Sequence, residues 1–194
     1  GLVGSEMCIR DSNVSPLEIG KELNITLTLD NTNEPVSGSN TVSVTVNKDY
    51  NWVSLGTGTF ADVLAFTEKP YDVEIQKADG FDRYRVMKPY EQGLKNDDGG
   101  WGNAVASTSC DYIEFWIKDG IIYYNKFFIG INYDGSASNA IYAHHPSDFA
   151  GISLANNKQL DDKTFQLAPY YYIEALQGGF DYTGEGGSIL ITLP

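Results

Sequence analysis

One loop of this sequence combines an aromatic ring with two neighbouring carboxylates. Trp101 follows Asp97 and Asp98 in a glycine-rich stretch. An exposed indole can stack on a sugar ring, and carboxylates accept hydrogen bonds from sugar hydroxyls. A single ring binds weakly, so the predicted ligand site adds Tyr171, from the run Tyr170–Tyr172, as a second ring. The alternative is that Trp101 folds back over an open end of a sheet, because large apolar side chains are usually buried.

Two other motifs contain groups that can ligate metals. His144 and His145 are adjacent, so on a strand they point to opposite faces, and no Cys or third His joins them. The run Asp134–Asn139 offers oxygen ligands at alternate positions but lacks the closing glutamate of a calcium loop. We therefore expect no metal site, no catalytic residue and no cofactor, with calcium as the one alternative. An Asx turn is the expected role of Asp134.

Alternating apolar and polar residues predict the strands that position these groups. Two hairpins are predicted at Asp79-Gly80 and Asp119-Gly120, each lying between two alternating runs, because such turns need positive φ at both residues. Further strands are expected at residues 127–131, as a continuation of the second hairpin, and at 164–167 and 188–193. The predicted fold class is all-β, with an antiparallel β-sandwich or barrel over residues 50–194.

Helical periodicity is weak throughout the sequence. Single helical turns are expected at Ser147–Phe149 and Ile173–Leu176, and no longer stretch has a convincing apolar period. The polar, glycine-rich stretch Lys88–Ser109 resists assignment. Loops of that length in a compact domain are usually functional or disordered.

Composition argues against several functional classes. The chain has 26 acidic and 13 basic residues, for a formal net charge of −13. Such a chain repels nucleic acid and anionic membrane surfaces, so no nucleic-acid partner is expected. No segment approaches the roughly 18 apolar residues needed to span a bilayer. Two cysteines, Cys8 and Cys110, cannot build a disulfide framework, and a monomer is expected.

The first twelve residues resemble a translated sequencing adapter. Leu2 to Asp11 back-translates to the end of a transposase-type adapter, so residues 1–12 are predicted not to be native. Cys8 is then foreign, which leaves Cys110 as the native cysteine. The natural N-terminus, with any signal peptide, is expected to be missing.

Residues 13–49 are expected to be the remnant of a separate domain. Asn24–Leu29 and Thr41–Val46 both alternate, and the turn-rich stretch Asn31–Asn40 separates them. A lone two-stranded hairpin is marginal in water, so these should be the last strands of a larger sandwich. They resemble the C-terminal end of Calx-beta-like domains, which have an immunoglobulin-like fold. The calcium ligands of those domains lie largely in loops outside this stretch.

From Trp52 onward the chain resembles a module found in surface lipoproteins of Bacteroidota-type gut bacteria. The resemblance rests on Trp52–Phe60, Tyr71–Ile75 and Tyr84–Tyr90. It implies export and an extracellular or outer-membrane location, and it carries over no catalytic residue. The expected function is a non-enzymatic accessory or binding module that contacts glycans or host polymers. A glycosidase-like hydrolase and a purely structural spacer are the alternatives.

Overall fold

The chain forms two compact units, Gly1–Asn51 and Trp52–Pro194. The computed structural model describes residues 18–28, 41–66 and 69–194. Strands make up 50% and helices 11% of the structure, so the all-β prediction is confirmed. Two predictions, the adapter-derived segment 1–12 and the loop from Asn31 to Asn40, lie outside the described residues.

The first unit contains an antiparallel hairpin. Strand β1 (Glu22–Thr28) pairs with β2 (Thr41–Asn47), with Ile25 opposite Val44. Because side chains alternate between the faces of a strand, one face of this hairpin is apolar. The exposed apolar side chains of that face are Leu23, Ile25, Leu27, Val42 and Val44. On the other face the Thr45 hydroxyl donates to the side chain of Asn24.

The strands of the second unit form two sheets. In chain order its described strands are β3 (Trp52–Asp62), β4 (Tyr71–Ala78), β5 (Arg83–Met87), β6 (Tyr112–Lys118), β7 (Ile121–Tyr124), β8 (Phe127–Asn132), β9 (Ala140–His144), β10 (Lys158–Gln159), β11 (Thr164–Leu167), β12 (Tyr170–Ile173), β13 (Gly178–Asp181) and β14 (Ile189–Thr192). The larger sheet has the order β10-β11-β14-β3-β4-β5-β6-β7, and the smaller one has the order β13-β12-β9-β8. All the pairings are antiparallel.

The larger sheet curls until its two edge strands nearly meet. The backbone N–H of Ile122, on β7, donates to the carbonyl of Asn157, which precedes β10, at 3.0 Å. The Tyr124 hydroxyl donates to the Asn157 side chain at 3.1 Å. These contacts give the sheet the shape of a nearly closed barrel, which agrees with the predicted sandwich or barrel.

One hydrophobic core lies between the inward faces of both sheets. Its fully buried members come from the larger sheet and from the smaller one, and they include Phe60, Ile75, Ile113, Phe115, Phe165, Ile129, Ile141 and Tyr171. Most of them lie on the buried phase of an alternating strand. The alternation that predicted the strands therefore also identified much of the core.

The two Asp-Gly turns differ. Asp119 and Gly120 both have positive φ, at 53° and 77°, and they join β6 to β7 as predicted. Between β4 and β5 only Gly80 has a positive φ, at 77°. The loop there is longer, because the paired residues nearest to it are Lys77 and Tyr84. The hairpin prediction is confirmed, whereas the two-residue turn at Asp79-Gly80 is not.

Strand β8 was predicted to continue the meander after β7, and this was wrong. It pairs with β9 and begins the smaller sheet. Local alternation shows which side chains of a strand share a face but does not show which strand it pairs with. The error therefore concerns topology, since the strand itself is present.

Short helices fill parts of the long loops. Within the unassigned stretch lies α1 (Glu91–Asn96), which is too short to show an apolar period. Its Gly93 packs on Phe66, and an added Cβ there would lie 2.6 Å from that ring. Single 3-10 turns at Pro146–Asp148 and Glu174–Leu176 match the two turns that the sequence predicted.

Candidate ligand-binding face

The predicted platform Trp101 lies partly buried against the hydrophobic core. Its indole N–H donates to the backbone carbonyl of Ala65. The carboxylate of Asp97 accepts from the backbone N–H of Trp101 at 2.7 Å and from that of Gly102 at 2.9 Å. The indole thus follows the alternative interpretation, in which it folds back, and Asp97 stabilises the loop.

The predicted second ring, Tyr171, is completely buried. Its hydroxyl donates to both carboxylate oxygens of Asp62 at 3.1 Å. Asp62 also accepts from the Tyr90 hydroxyl at 2.7 Å and from two backbone N–H groups, those of Leu64 and Ala65. Burial of the Asp62 carboxyl raises its pKa in spite of these donors. Tyr171 is therefore part of an internal polar network.

The structure does not bring the four predicted residues together at an exposed surface. Trp101 donates to Ala65 and Tyr171 donates to Asp62, where β3 ends and the following turn begins. Both rings approach this part of the chain from the hydrophobic core. Asp98 is only partly exposed, in the loop between α1 and Trp101. Sugar binding by this loop remains a prediction.

The outward face of the smaller sheet carries a different group of rings. Strand registers place Tyr142 opposite Tyr172, and His144 opposite Tyr170. Directly opposite residues point to the same side of an antiparallel pair. Tyr171 and Ala143, one residue away on each strand, point into the core. We call the outward group the aromatic face, and it comprises Phe128, Tyr142, His144, Phe149, Tyr170 and Tyr172.

The rings of the aromatic face contact one another. Phe149 is central, with ring centroids 4.8 Å from Tyr170, 5.1 Å from Tyr172 and 5.4 Å from His144. Phe128 and Tyr142 form a second pair at 5.5 Å. The five Phe and Tyr rings of the aromatic face are only partly buried. Tilted and edge-to-face geometries of this kind are favourable and leave part of each ring open to solvent.

A glycine on the edge strand makes room for one of these rings. Gly179, on β13, lies opposite Tyr172. A Cβ at this position would lie 2.7 Å from Cε1 of Tyr170 and 2.4 Å from the Tyr171 carbonyl oxygen. Real Cβ atoms do not approach so closely, so glycine is needed here for Tyr170 to lie across the sheet edge.

Charged groups border the aromatic face. The ammonium group of Lys126 donates to the Glu174 carboxylate and lies 5.3 Å from the centroid of Tyr142. This ion pair lowers the pKa of Glu174 and raises the pKa of Lys126. Asp181 lies opposite Tyr170 on β13 and is exposed. Asp148 follows β9 and is about half exposed, at 48% of its side chain.

The two adjacent histidines have different surroundings. His145 is 2% exposed, and its Nδ1 accepts from the backbone N–H of Ser147 while Nε2 donates to the Ile122 carbonyl at 3.1 Å. Its burial lowers the pKa of the imidazole. His144 is 9% exposed and has Nδ1 at 3.2 Å from the Asp148 carboxylate. The opposite orientations of the pair are those expected for neighbours on a strand.

A second set of rings lies on the outer face of the larger sheet. The guanidinium of Arg85 lies between Trp52 and Tyr112, at 3.9 Å and 4.2 Å from their centroids. That of Arg83 lies 4.3 Å from Trp116. Both arginines also donate to Glu114, at 2.6 Å and 2.8 Å. We call this group the arginine ladder, and it comprises Trp52, Arg83, Arg85, Tyr112, Glu114, Trp116 and Tyr123, which stacks on Trp116 at 6.3 Å.

Other features of the described residues offer less to a ligand. Two open clefts of about 530 and 520 Å³ flank α1 and share Lys88, Glu91 and Lys95 in their walls. Burial raises the pKa of Cys110 to about 12, so its sulfur is a thiol at neutral pH. Asp134 accepts from the backbone N–H of Ser136, which is the Asx turn expected there.

Among the described residues, no three His, Cys, Asp or Glu side chains are grouped so as to hold a metal ion. Within the same residues, no helix is long and apolar enough to cross a bilayer.

Sequence reasoning missed most of the aromatic face. It selected Tyr171, the central ring of the run Tyr170–Tyr172, as the second ring of the ligand site. Because strand faces alternate, an error of one residue exchanges outward for inward side chains. The alternation of Ile141, Tyr142, Ala143 and His144 is the signal that could have located the face.

Comparisons with protein-family models, with curated proteins and with solved structures found no match to this chain.

Proposed function

We propose that this chain is a non-enzymatic glycan-binding module of a bacterial surface lipoprotein and that it binds sugars on the aromatic face. The observation that carries the proposal is the group of partly exposed rings on one side of a rigid four-stranded sheet. Display at the cell surface is supported by the sequence resemblance from Trp52 onward.

The chemistry of the aromatic face suits a sugar. The C–H groups of a pyranose pack against ring faces, and burial of part of a tyrosine ring in this way contributes on the order of 1 kcal/mol. Glu174, Asp181 and Asp148 lie at the border of the face, where carboxylates can accept hydrogen bonds from hydroxyl groups. The paired strands hold the rings of Phe128, Tyr142, Tyr170 and Tyr172 in place, so their contacts with a sugar cost little conformational entropy.

Binding to a panel of soluble and insoluble polysaccharides tests the proposal. The parent chain is compared with Tyr172→Ala, which removes a ring of the aromatic face. The matched control is Tyr123→Ala, which removes a ring of the arginine ladder. We expect the parent and the control to bind the same polysaccharide, and Tyr172→Ala to bind about tenfold or more weakly, from the loss of one stacked ring.

Three outcomes would contradict the proposal. The parent chain binds no member of the panel, Tyr172→Ala binds as well as the parent, or Tyr123→Ala is the variant that loses binding. Release of reducing sugar from a bound polysaccharide would instead support the glycosidase-like alternative. Absence of any binding would favour the structural spacer.

A further inference from the structure

One ring nitrogen on the aromatic face lacks a hydrogen-bond partner. Among the described residues, Nε2 of His144 is a buried side-chain nitrogen for which the structure provides neither donor nor acceptor. The residue is about nine-tenths buried, with 9% of its surface exposed. Buried polar atoms are nearly always hydrogen-bonded, so each exception needs a physical explanation.

The other ring nitrogen shows what kind of partner Nε2 can accept. Nδ1 lies 3.2 Å from Oδ2 of Asp148. An ionised carboxylate only accepts hydrogen bonds, so Nδ1 carries the proton in this pair. When the imidazole is neutral, its one proton is therefore on Nδ1, and Nε2 has a free lone pair and is an acceptor. A group that donates a hydrogen bond is therefore the partner that it lacks.

The rings that surround His144 are those of the proposed sugar site. Its ring centroid is 5.4 Å from Phe149 and 5.8 Å from Tyr172. Tyr172 is fixed within β12, whereas Phe149 follows the 3-10 turn Pro146–Asp148 and lies outside the strands. Moving Phe149 should therefore cost less free energy than moving Tyr172. Phe149 is the ring whose displacement would open Nε2 to a ligand.

We propose that Nε2 of His144 accepts a hydrogen bond from one hydroxyl of a neutral sugar, which reaches it when Phe149 moves aside. The sugar ring then lies against Tyr170 and Tyr172. Asp148 is a positioning residue, because it fixes the imidazole in the tautomer that accepts at Nε2. This inference rests on the proposed function and specifies its ligand class and its central polar contact.

Neutral sugars are favoured over acidic ones for two reasons. A carboxylate or sulfate ester has no proton to donate at neutral pH, so an acidic sugar has fewer groups that can satisfy Nε2. The border of the face also carries Asp148, Glu174 and Asp181, and its cation Lys126 is already bonded to Glu174. The chain as a whole has a net charge of −13, which repels polyanions.

Titration with defined oligosaccharides tests the inference. The probes are cellohexaose, xylohexaose and mannohexaose, with a hexamer of galacturonic acid as the acidic comparison. We expect at least one neutral probe to bind and the acidic probe not to bind. His144→Phe keeps the ring and removes the acceptor, so it should bind the neutral probe about tenfold more weakly, the value of one hydrogen bond. Circular dichroism and thermal melting check that this variant folds.

Nitrogen-15 NMR of the histidine side chains gives a second readout that needs no variant at His144. In the free parent chain, Nδ1 of His144 should be protonated and Nε2 unprotonated. Addition of the neutral probe should shift the Nε2 resonance, as expected for a new hydrogen bond, and leave that of His145 unchanged. Asp148→Ala should mix the two tautomers of His144 and weaken binding.

The outcomes separate this inference from the proposed function. If none of the four probes binds the parent chain, both are overturned. If a neutral probe binds and depends on Tyr172, but the Nε2 resonance of His144 does not move, the proposed function stands and this inference is overturned. Tighter binding of the galacturonic acid hexamer would also overturn it.

Discussion

The aromatic face and the arginine ladder are both rows of aromatic rings on sheet surfaces, but they differ in how their groups are paired. In the ladder, each named arginine lies over a ring and also donates to Glu114. In the aromatic face, rings contact mainly other rings, and the central histidine keeps one nitrogen without a partner. The ladder pairs its charged groups with one another, whereas the aromatic face leaves one buried nitrogen without a partner.

This difference separates a structural surface from a candidate binding surface. Side chains that already stack and hydrogen-bond among themselves gain little from a ligand, because binding would first have to break those contacts. On the aromatic face a ligand would displace the ring contacts of Phe149 alone, and it would gain open tyrosine rings and an unsatisfied acceptor. The number of exposed aromatic residues is thus a poorer guide to a site than the contacts those residues already make.

Breaking the ladder at its central carboxylate should have the largest effect on stability. Glu114 is 12% exposed and accepts from two arginines, so Glu114→Ala leaves two mostly buried guanidinium groups without their carboxylate. We expect the free energy of unfolding to fall by about 2–4 kcal/mol, measured by urea denaturation. Affinity for any glycan bound on the aromatic face should not change.

Glu174→Ala is the matched control for this prediction. It removes a carboxylate from an ion pair that is about half exposed, at 50% for Lys126 and 54% for Glu174. Exposed pairs contribute little to stability. Equal losses of stability in the two variants would show that the ladder stabilises the fold no more than an exposed ion pair does. Its rings would then become candidates for ligand binding.

A smaller effect is expected at Tyr171, directly beneath the aromatic face. Tyr171→Phe removes the hydroxyl that donates to Asp62, and it should lower the free energy of unfolding by about 1–2 kcal/mol. Glycan affinity should stay unchanged because the ring is buried. Tyr170→Phe removes an outward hydroxyl on the same strand and should leave the unfolding transition almost unaltered. If the two variants lose equal stability, the assignment of inward and outward tyrosines is incorrect.

The sequence predicted the strands better than it predicted the site, and the reason is physical. The turn at Asp119-Gly120 is local, because two adjacent residues with positive φ determine it. The aromatic face instead needs β9 to pair with β12, two strands separated by a long stretch of chain. Three consecutive tyrosines at Tyr170–Tyr172 also conceal which residue faces inward, since all three have the same hydropathy.

A smaller, pH-dependent effect on the free energy of unfolding is expected at His145, beside Tyr123 of the arginine ladder. His145 contacts Tyr123, with ring centroids 4.7 Å apart, and its burial lowers the pKa of the imidazole below the ordinary value. The unfolded chain then takes up the proton first as the pH falls. The stability that His145 contributes is present above its unfolded pKa of about 6.5 and is lost on acidification. Urea denaturation between about pH 7.5 and pH 5.5 should show a steeper decline for the parent than for His145→Gln. Parallel declines would mean that His145 is not held in its neutral form.

The smallest expected effect concerns the ion pair beside the aromatic face. Lys126 pairs with Glu174 and lies over Tyr142, but both charged groups are about half exposed, so water and salt weaken the attraction. Lys126→Met keeps most of the apolar stem and should shift the melting temperature by only about 1 °C at low salt. In about 1 M NaCl the parent and the variant should melt together, because the Debye length there is only about 3 Å.

The loss caused by Glu114→Ala should persist in the same salt, since its partners are mostly shielded from solvent. A Lys126→Met effect that survives high salt would show that the border of the aromatic face is as tightly coupled as the ladder, and the contrast between the two surfaces would no longer hold.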